Sequence, residues 1–567
     1  RLTLGTRDDA VSAMADQMVA QCRHHDADDR RHPDLLTLTD PAELISLLEA
    51  GDMNSDAGIT PQHAAAGRWS RCTEARLAGM MERARADVAR INAKNIADRD
   101  RDAPTVGDRL VLAMPSPNDR QSTASVVQMT DAADVGSIVD VGVQAFAGWN
   151  ATGLTERARI AATFANLLER RQDELIAAMV LSGGMRIVDA HADWQGAISD
   201  AREMIANVLD ARASSPTDRA ATGLGLMLVV PDATSLRSRV RLEVAALMAG
   251  NSVISATLPT AARLADLVRD LWGEAQLGEA QLQIVHVDAS TLTRFGCDAG
   301  IAGFASATGE STLQRVMSAR AMASVTSIPA LDLSAPIAVA IHDGTVDPGL
   351  VIADLSRALG ASQSETGWPV RKVFVDDGQF EPICKALATA AFRAVPGPSW
   401  LAETTVGPLP TREDLDAALA DKVRLADTCT VVADPADTTY GDGFHCMPGV
   451  YAAERGSGAR PAVGGPLIVV EPFDATDLDD LVANVRRVSD NAALALYSAG
   501  HGLSQALADE LQPVALAHTT GASPVAGNTT LGSAVIRSRA TRTPNARGCP
   551  DPLSLPFSRS VRPIIVD

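Results

Sequence analysis

The chain has 567 residues, of which 46% are hydrophobic and 21% charged, so it can bury the cores of two or three packed domains. This composition excludes a disordered or fibrous protein. The formal net charge of -20 argues against nucleic acid or an anionic membrane surface as a partner, because both are polyanions.

The cysteines and the hydropathy bear on the cellular compartment. Seven cysteines are scattered along the chain and never form a CxxC pair. This pattern indicates neither a disulfide framework nor a zinc site, and it fits a reducing cytoplasm. No apolar run reaches the ~20 residues that a membrane-spanning helix needs. We therefore predict a cytoplasmic protein without a membrane span.

The first part of the sequence, residues 1–104, is predicted to be a helical extension because its apolar residues recur at helical spacing. Thr60-Pro61 is typical of a helix start, with a capping threonine before a proline at the first helical position. The segment from His24 to His32 is rich in His and Asp, which admits a metal site. Charged stretches between helices are more typical of a solvated loop, so we predict no metal.

The next part of the chain alternates predicted strands with predicted helices. Ala124 to Met129 predicts a strand, Val135 to Trp149 a helix and Leu226 to Val230 a second strand. A helix over Glu243 to Gly250 and a strand over Asn251 to Ile254 follow. This rhythm predicts a mostly parallel sheet with helices on both faces.

The second half begins with the stretch from Ala330 to Pro336. A helical run is predicted after it, followed by the segment Gly360 to Thr366 and a strand over Arg371 to Val375. Phe380 to Arg393 then predicts a helix, and Leu467 to Phe473 predicts a further strand. The α/β alternation therefore continues through this half.

Several of these landmarks resemble the aldehyde dehydrogenase superfamily. A helix closed by Trp149 and followed by Leu154-Thr155-Glu156-Arg157-Ala158 is similar to the start of that family's core. Gly250-Asn251-Ser252-Val253-Ile254 is similar to the family's Gly-Asn-Thr-Val-Val. The resemblance extends over about Val126 to Asp567, and the most similar branch is the semialdehyde dehydrogenase domain of bifunctional proline-utilisation proteins.

The resemblance implies an α/β protein with the aldehyde dehydrogenase-like fold. A Rossmann-like, NAD-binding-like domain is expected over residues 105–330 and a catalytic-like α/β domain over 331–540. An oligomerisation tail is expected over 541–567, with the hairpin that pairs with it near 211–227. In the family the tail strand adds to the sheet of a neighbouring subunit. We therefore predict a homo-oligomer.

The positions of the family's catalytic groups hold other residues in this chain. The general-base Glu of Leu-Glu-Leu-Gly-Gly aligns with Asp332. The nucleophilic Cys of Gly-Gln-x-Cys aligns with Glu365, or with Thr366 if the extra residue before Arg371 is placed there. The oxyanion-binding Asn of Pro-Trp-Asn aligns with Ala233. The resemblance thus implies that the nucleophile, the base and the oxyanion donor are all replaced.

The family's nucleotide contacts are replaced as well. Its ribose-binding Lys aligns with Ala256, and the Glu of Glu-x-Phe-Gly-Pro aligns with Ala462. The Gly-Ser of the phosphate-facing Phe-x-Gly-Ser-Thr aligns with Ser306 and Ala307, which puts bulk where the backbone approaches a pyrophosphate. No cofactor is therefore expected, and NAD or NADP is expected only if the chain is active.

Two functions follow from these alignments. In the first, a catalytically inactive family member is a structural or regulatory subunit that assembles with an active enzyme or another protein. In the second, the chain is a divergent NAD(P)-dependent aldehyde dehydrogenase, for example of the glutamate semialdehyde type. His445-Cys446 is the one neighbouring His–Cys pair that offers a substitute nucleophile. A buried cysteine within the sheet is its more typical interpretation.

Overall fold

A computed structural model describes part of the chain, and all of the described residues belong to the second of the two units into which the chain divides, Glu74–Asp567. The predicted helical extension and positions 361–369 lie outside the described residues. The described ranges are 111–214, 220–307, 310–326, 328, 330–332, 338–360, 370–401, 403–436, 442–462, 465–488, 493–511, 515–519 and 558–561.

The described chain opens with an antiparallel hairpin followed by helices. The third helix ends at Gly184, whose φ of 71° is the left-handed conformation that commonly closes a helix. The ring of Phe164 on the second helix stacks on Trp272, 3.7 Å away. The elements are β1 (Val111–Ser116), β2 (Asp119–Gln128), α1 (Val135–Ala151), α2 (Leu154–Arg170), α3 (Gln172–Gly183) and α4 (Ile187–Ser214).

A five-stranded parallel sheet follows, with the strand order β6-β5-β4-β7-β8. In chain order this is 3-2-1-4-5, the arrangement of dinucleotide-binding folds, and its switch point lies between β4 and β7. Its elements are β4 (Leu226–Val230), α5 (Leu236–Met248), β5 (Ser252–Thr257), α6 (Ala262–Glu274), β6 (Leu282–His286), α7 (Ala289–Cys297), β7 (Ile301–Ser306), α8 (Glu310–Met322) and β8 (Ala330–Asp332).

A seven-stranded sheet forms the second α/β region, and its strand order is β11-β12-β13-β10-β9-β14-β15. It is parallel except for β11, which runs antiparallel to β12 at one edge. Its elements are β9 (Ala338–His342), α9 (Pro348–Gly360), β10 (Val370–Asp376), α10 (Asp377–Phe392), α11 (Arg412–Thr428), β11 (Thr430–Ala433), β12 (Gly449–Ala452), β13 (Leu467–Phe473), α12 (Leu478–Val488), β14 (Ala493–Tyr497), α13 (His501–Leu511) and β15 (Ala515–Thr519).

A separate two-stranded sheet joins distant parts of the chain. β3 (Ala220–Gly223) pairs antiparallel with β16 (Ser558–Val561), so that Gly223 lies opposite Ser558. The tail strand therefore pairs within its own chain, with the region that the sequence had suggested as its partner.

The cores lie on both faces of the two large sheets. Every residue of β4 and β5 is buried, as expected for parallel strands that are covered by helices on both sides. Separate apolar clusters fill the two sides of the five-stranded sheet, and two others fill the sides of the seven-stranded sheet.

Two of the predicted elements differ from the structure. The helical run predicted after Asp332 begins instead with strand β9, because a short apolar run does not distinguish a buried strand from a buried helix. The helix predicted from Glu243 begins at Leu236, and Ser235 caps it. Helix α5 is buried almost all round, and its first half contains Arg237, Arg239 and Arg241, so the sequence shows no apolar stripe that would mark its start.

Candidate functional site

The candidate site lies at the carboxyl edge of the five-stranded sheet, near the switch point. Sheets of this kind bind ligands in a crevice there, and we call this region the crevice. Val230 at the end of β4 lies opposite Ser306 at the end of β7. Ser306 lies opposite Asp332 at the end of β8. The structure thus brings the predicted phosphate and general-base positions side by side. Only the backbone of Asp332 is described.

Ala256, at the predicted ribose position, lies in the same part of the sheet and is completely buried. It pairs with Val285 of β6. It belongs to an apolar cluster, and its own methyl group provides no amine in the place of a lysine. The buried members of this cluster are Val135, Val139, Leu226, Leu228, Val230, Ile254, Ala256, Val285, Val287, Leu292, Phe295, Ile301, Phe304 and Val316.

The end of β7 is closed against β4. Ser306 is completely buried, and the backbone N–H of Ala307 donates to the carbonyl oxygen of Val230 at 2.9 Å. Since that N–H is already bonded within the sheet, it is not offered to a phosphate. In the alignment with the family, Ser306 stands where a glycine would leave room for a phosphate, and its side chain takes up that space.

The loop between β4 and α5 holds Ala233, the predicted oxyanion position. Ala233 is half-buried and presents only a methyl group. Beside it, the Asp232 carboxylate accepts the backbone N–H of Thr234 at 2.9 Å, while the N–H of Asp232 donates to Ser238 Oγ at 2.9 Å. The backbone amides of Asp232 and Thr234 are therefore already bonded to this loop or to the start of α5, and neither is open to an oxyanion.

The same loop is tied to α4 through a buried acid. Asp193 accepts the hydroxyl of Ser235 at 2.7 Å and the backbone N–H of Arg237 at 2.9 Å. Burial raises the pKa of Asp193 to about 6, although both hydrogen bonds lower it. Burial also raises the pKa of Asp232, and the carboxylate of Asp414 on α11 adds to that rise.

Ala462, at the predicted nicotinamide-ribose position, has an exposed methyl group. Its backbone N–H donates to Asp421 Oδ2 at 2.6 Å, and Asp421 is buried. Arg424 pairs with Asp421 at 2.5 Å and donates to the carbonyl oxygen of Arg460 at 2.6 Å. Helix α11 therefore holds this segment through its backbone, and the side chain at 462 offers no acceptor.

Glu365 and Thr366, the two candidates for the nucleophile position, lie outside the described residues. The ends of the segment that carries them are described. Arg371 Nη1 donates to the carbonyl oxygen of Ala358 at 2.9 Å, close to the end of α9. A Cβ on Gly360 would lie 2.1 Å from the carbonyl oxygen of Thr405, so only glycine fits there.

The sequence comparisons agree with this architecture. The model of the aldehyde dehydrogenase family matches residues 108–495, more than half of the chain. The chain belongs to the aldehyde dehydrogenase family. No curated protein matches the sequence.

Several solved structures of dehydrogenases and of proline utilization A have a similar fold. A mutant of proline utilization A from Bradyrhizobium japonicum matches with a TM-score of 0.66 and 20% identity, over 77% of this chain and 45% of that one. Delta-pyrroline-5-carboxylate dehydrogenase from Mycobacterium tuberculosis matches with a TM-score of 0.64 and 16% identity, over 80% of this chain and 87% of that one. At such identities the likeness shows the fold alone. The match spans less than half the length of the proline utilization A chains.

Aldehyde Dehydrogenase C from Pseudomonas syringae, solved as a mutant with NAD+ and octanal, is similar too. Its TM-score is 0.63 at 19% identity, over 73% of this chain and 86% of that one. Among the described helices of this family member, none is long and apolar enough to cross a membrane. Within the same residues no group of His, Cys, Asp and Glu side chains is arranged to hold a metal. The His24 to His32 segment lies outside them.

The His445-Cys446 pair does not form a reactive site in this family member. Both residues are buried, and the Cys446 thiol donates to the carbonyl oxygen of Met447 at 3.6 Å. Burial lowers the pKa of His445 to about 4, so its ring is neutral at pH 7. The prediction of a buried cysteine is confirmed. Its placement in the sheet is wrong, because Cys446 lies in the loop before β12.

One polar group near the site was not predicted. Arg239 and Glu243 of α5 form an ion pair of 3.0 Å in which both side chains are buried. Arg239 also donates to Ser255 Oγ at 3.1 Å and to Thr257 Oγ1 at 2.9 Å, while Trp272 Nε1 donates to Glu243 at 3.0 Å. The only signal in the sequence was the spacing of Arg239 and Glu243, four residues apart on a helix.

Proposed function

We propose that this chain is a non-catalytic member of the aldehyde dehydrogenase family that serves as a structural or regulatory subunit of an assembly. The observation that carries the proposal is the carboxyl edge of the five-stranded sheet. Ala256 there is enclosed by apolar side chains, Ser306 is buried where the family has glycine, and the loop at Ala233 is hydrogen-bonded to itself.

The chemistry of aldehyde oxidation supports this proposal. The family's reaction needs a thiolate to attack the carbonyl carbon and a donor to stabilise the resulting oxyanion. Losing one oxyanion donor typically costs about 10²–10³ in turnover. Ala233 has no donor, and the neighbouring amide of Thr234 is already bonded to Asp232. A carboxylate at position 365 would not form a thiohemiacetal even if it reached the substrate.

The nucleotide positions support the proposal independently. A dinucleotide would need a donor near position 256 and an acceptor near position 462, and both residues are alanine. It would also need an open approach at the end of β7, where the N–H of Ala307 is bonded to Val230. The described residues therefore do not fit NAD or NADP in the way the family holds them, and we propose no hydride transfer through this crevice.

The assembly itself is the second part of the proposal. Homo-oligomers are expected from the family, and β3 with β16 forms the arm that would join subunits. The scattered cysteines support a cytoplasmic location. An active enzyme or another protein is the proposed partner, with the N-terminal extension as the segment that attaches it.

A divergent dehydrogenase is the alternative, and one observation favours it. The family model matches residues 108–495, and the Mycobacterium tuberculosis Delta-pyrroline-5-carboxylate dehydrogenase is similar over 87% of its own length. An intact scaffold of this kind is also what an active enzyme would retain. This alternative requires a nucleophile at Thr366 or elsewhere in the same segment.

Activity and binding measurements decide between the two. Purified protein should produce no NADH or NADPH with a panel of aldehydes that includes glutamate semialdehyde, and calorimetry should detect no low-micromolar binding of NAD or NADP. The variant Glu365→Cys should remain inactive, because the other groups are still missing. Steady wild-type turnover that a thiol-alkylating reagent abolishes would favour the dehydrogenase. Mass spectrometry of complexes from the native source would then identify the partner.

A further inference from the structure

The end of helix α10 exposes two neighbouring apolar side chains. Phe392, the last residue of the helix, is 65% exposed, and it is the only phenylalanine of the described chain that is exposed. Val395, three residues further on, is 45% exposed. We call these two side chains the α10 patch. Because an aromatic ring is stabilised by leaving water, the patch is a candidate contact surface for another apolar group.

The segment 361–369, which lies outside the described residues, begins next to this patch. At the last described residue before it, a Cβ on Gly360 would lie 2.1 Å from the carbonyl oxygen of Thr405. The backbone N–H of Thr405 donates to the carbonyl oxygen of Val395 at 3.0 Å, and the N–H of Val395 donates to Thr405 Oγ1 at 2.7 Å. Thr405 therefore lies between the start of the segment and the patch.

The other end of the segment leads to the same helix. Val370, the first residue of β10, belongs to the same buried apolar cluster as Ala391, which directly precedes Phe392. Leu359, at the end of α9, is a member of this cluster as well. Both ends of the segment therefore lie on the side of the seven-stranded sheet that α10 covers.

The segment contains one large apolar side chain. Its nine residues are Ala, Ser, Gln, Ser, Glu, Thr, Gly, Trp and Pro, in this order. Trp368 is two residues from Val370, so their Cα atoms lie within about 7 Å of each other. Tryptophan buries one of the largest surfaces of any side chain. The α10 patch is therefore within reach of the one residue in the segment that gains most from it.

We propose that the indole of Trp368 packs on the α10 patch and thereby fixes the position of the segment 361–369. This segment carries Glu365 and Thr366, the two candidates for the family's nucleophile position. Trp368 is a positioning residue for them. The inference is independent of the proposed function, because a packed Trp368 fits an inactive subunit and an active dehydrogenase equally.

The test follows Trp368 by fluorine NMR of the full-length protein labelled with fluorotryptophan. The resonance that is missing from Trp368→Phe identifies Trp368 among the six tryptophans. In the wild type this resonance should not shift when water is replaced by deuterium oxide, because the indole is shielded. Phe392→Ser should move the resonance and make it sensitive to deuterium oxide. Val423→Ser is the matched control, since Val423 lies on α11 with the same exposure of 65%, and it should leave the resonance unchanged.

Other results would overturn the inference. A Trp368 resonance that responds to deuterium oxide in the wild type means that the indole lies in water. A shielded resonance that Phe392→Ser leaves unchanged means that the indole packs against other residues. If Phe392→Ser lowers the molecular mass in light scattering and leaves the resonance unchanged, a second copy covers the patch. If Phe392→Ser does not fold, Val395→Ala decides. A moved Trp368 resonance supports the inference, and an unchanged one overturns it.

Discussion

Strand β5 has two faces that differ in chemistry, and the difference bears on what the crevice can bind. Ser255 and Thr257 face α5 and accept hydrogen bonds from Arg239. Ala256 lies between them on the opposite face, because side chains alternate along a strand, and it is enclosed by apolar residues. Glu243 completes the polar side by pairing with Arg239 at 3.0 Å.

The comparison shows where this chain uses its polar groups. On the α5 side of β5 an ion pair, two hydroxyls and an indole N–H satisfy one another inside the protein. On the face that carries Ala256, the polar side chain of β5 is Ser252, whose hydroxyl donates to the carbonyl oxygen of Gly142 at 2.8 Å. The polar groups of this strand therefore stabilise the fold and are not available for recognising a nucleotide.

The largest expected effect comes from breaking the polar face. Arg239→Met leaves the carboxylate of Glu243 buried without its cation, which should lower the free energy of unfolding by about 3–5 kcal/mol. The double variant Arg239→Met with Glu243→Met should recover most of that loss, since apolar side chains often replace a buried pair at little cost. Chemical denaturation measures both. A double variant as unstable as the single one would contradict this account.

The next effect concerns Asp193 of α4, whose carboxyl group accepts hydrogen bonds from Ser235 and Arg237 at the start of α5. Burial raises the pKa of Asp193 to about 6 from the ordinary 3.8. The folded protein holds a proton between these two values that the unfolded chain has released. Asp193 therefore stabilises the fold most below about pH 4, and this contribution is lost as the pH rises through about 6. The two pKa values correspond to about 3 kcal/mol.

Asp193→Asn should remove this pH dependence, because the amide does not titrate and can still accept the hydroxyl of Ser235. The free energies of unfolding of the wild type and the variant should be measured from pH 4 to pH 7. Their difference should shift by about 3 kcal/mol over that range, with the wild type losing stability relative to the variant as the pH rises. A constant difference would show that folding does not raise the pKa of Asp193.

The smallest effect comes from adding bulk to the crevice face at position 256. Ala256→Leu should lower the free energy of unfolding by about 1–3 kcal/mol, because the site is completely buried and already packed. Ala256→Lys should lower it further because it adds a buried charge, and the difference between the two variants reports the cost of that charge. Neither variant should bind NAD in calorimetry. Micromolar binding by the lysine variant would mean that the crevice has kept its nucleotide shape.

Sequence reasoning was most successful where a signal is local. The strands Leu226–Val230 and Leu467–Phe473 were predicted to the residue, because each contains a short apolar run that includes β-branched side chains. It was less successful at α5 and β9, whose burial removes the polar–apolar period that marks an element. The residues at the candidate site were predicted from family motifs that occur in the same order along this chain. The hydrogen bonds of the loop at Asp232 were not predicted, because a motif does not specify hydrogen-bond partners.

The sequence by itself determined the family, the order of most elements and the identity of the residues at the family's functional positions. These follow from periodicity over a few residues and from landmarks kept in order. The tertiary structure alone decided which charges are paired. Lys372 and Glu471, 99 residues apart, lie 2.5 Å from each other with both side chains fully buried, whereas Nε and Nη1 of the buried Arg157 have no hydrogen-bond partner among the described residues. Burial and partnership depend on contacts between distant segments, and no local pattern encodes them.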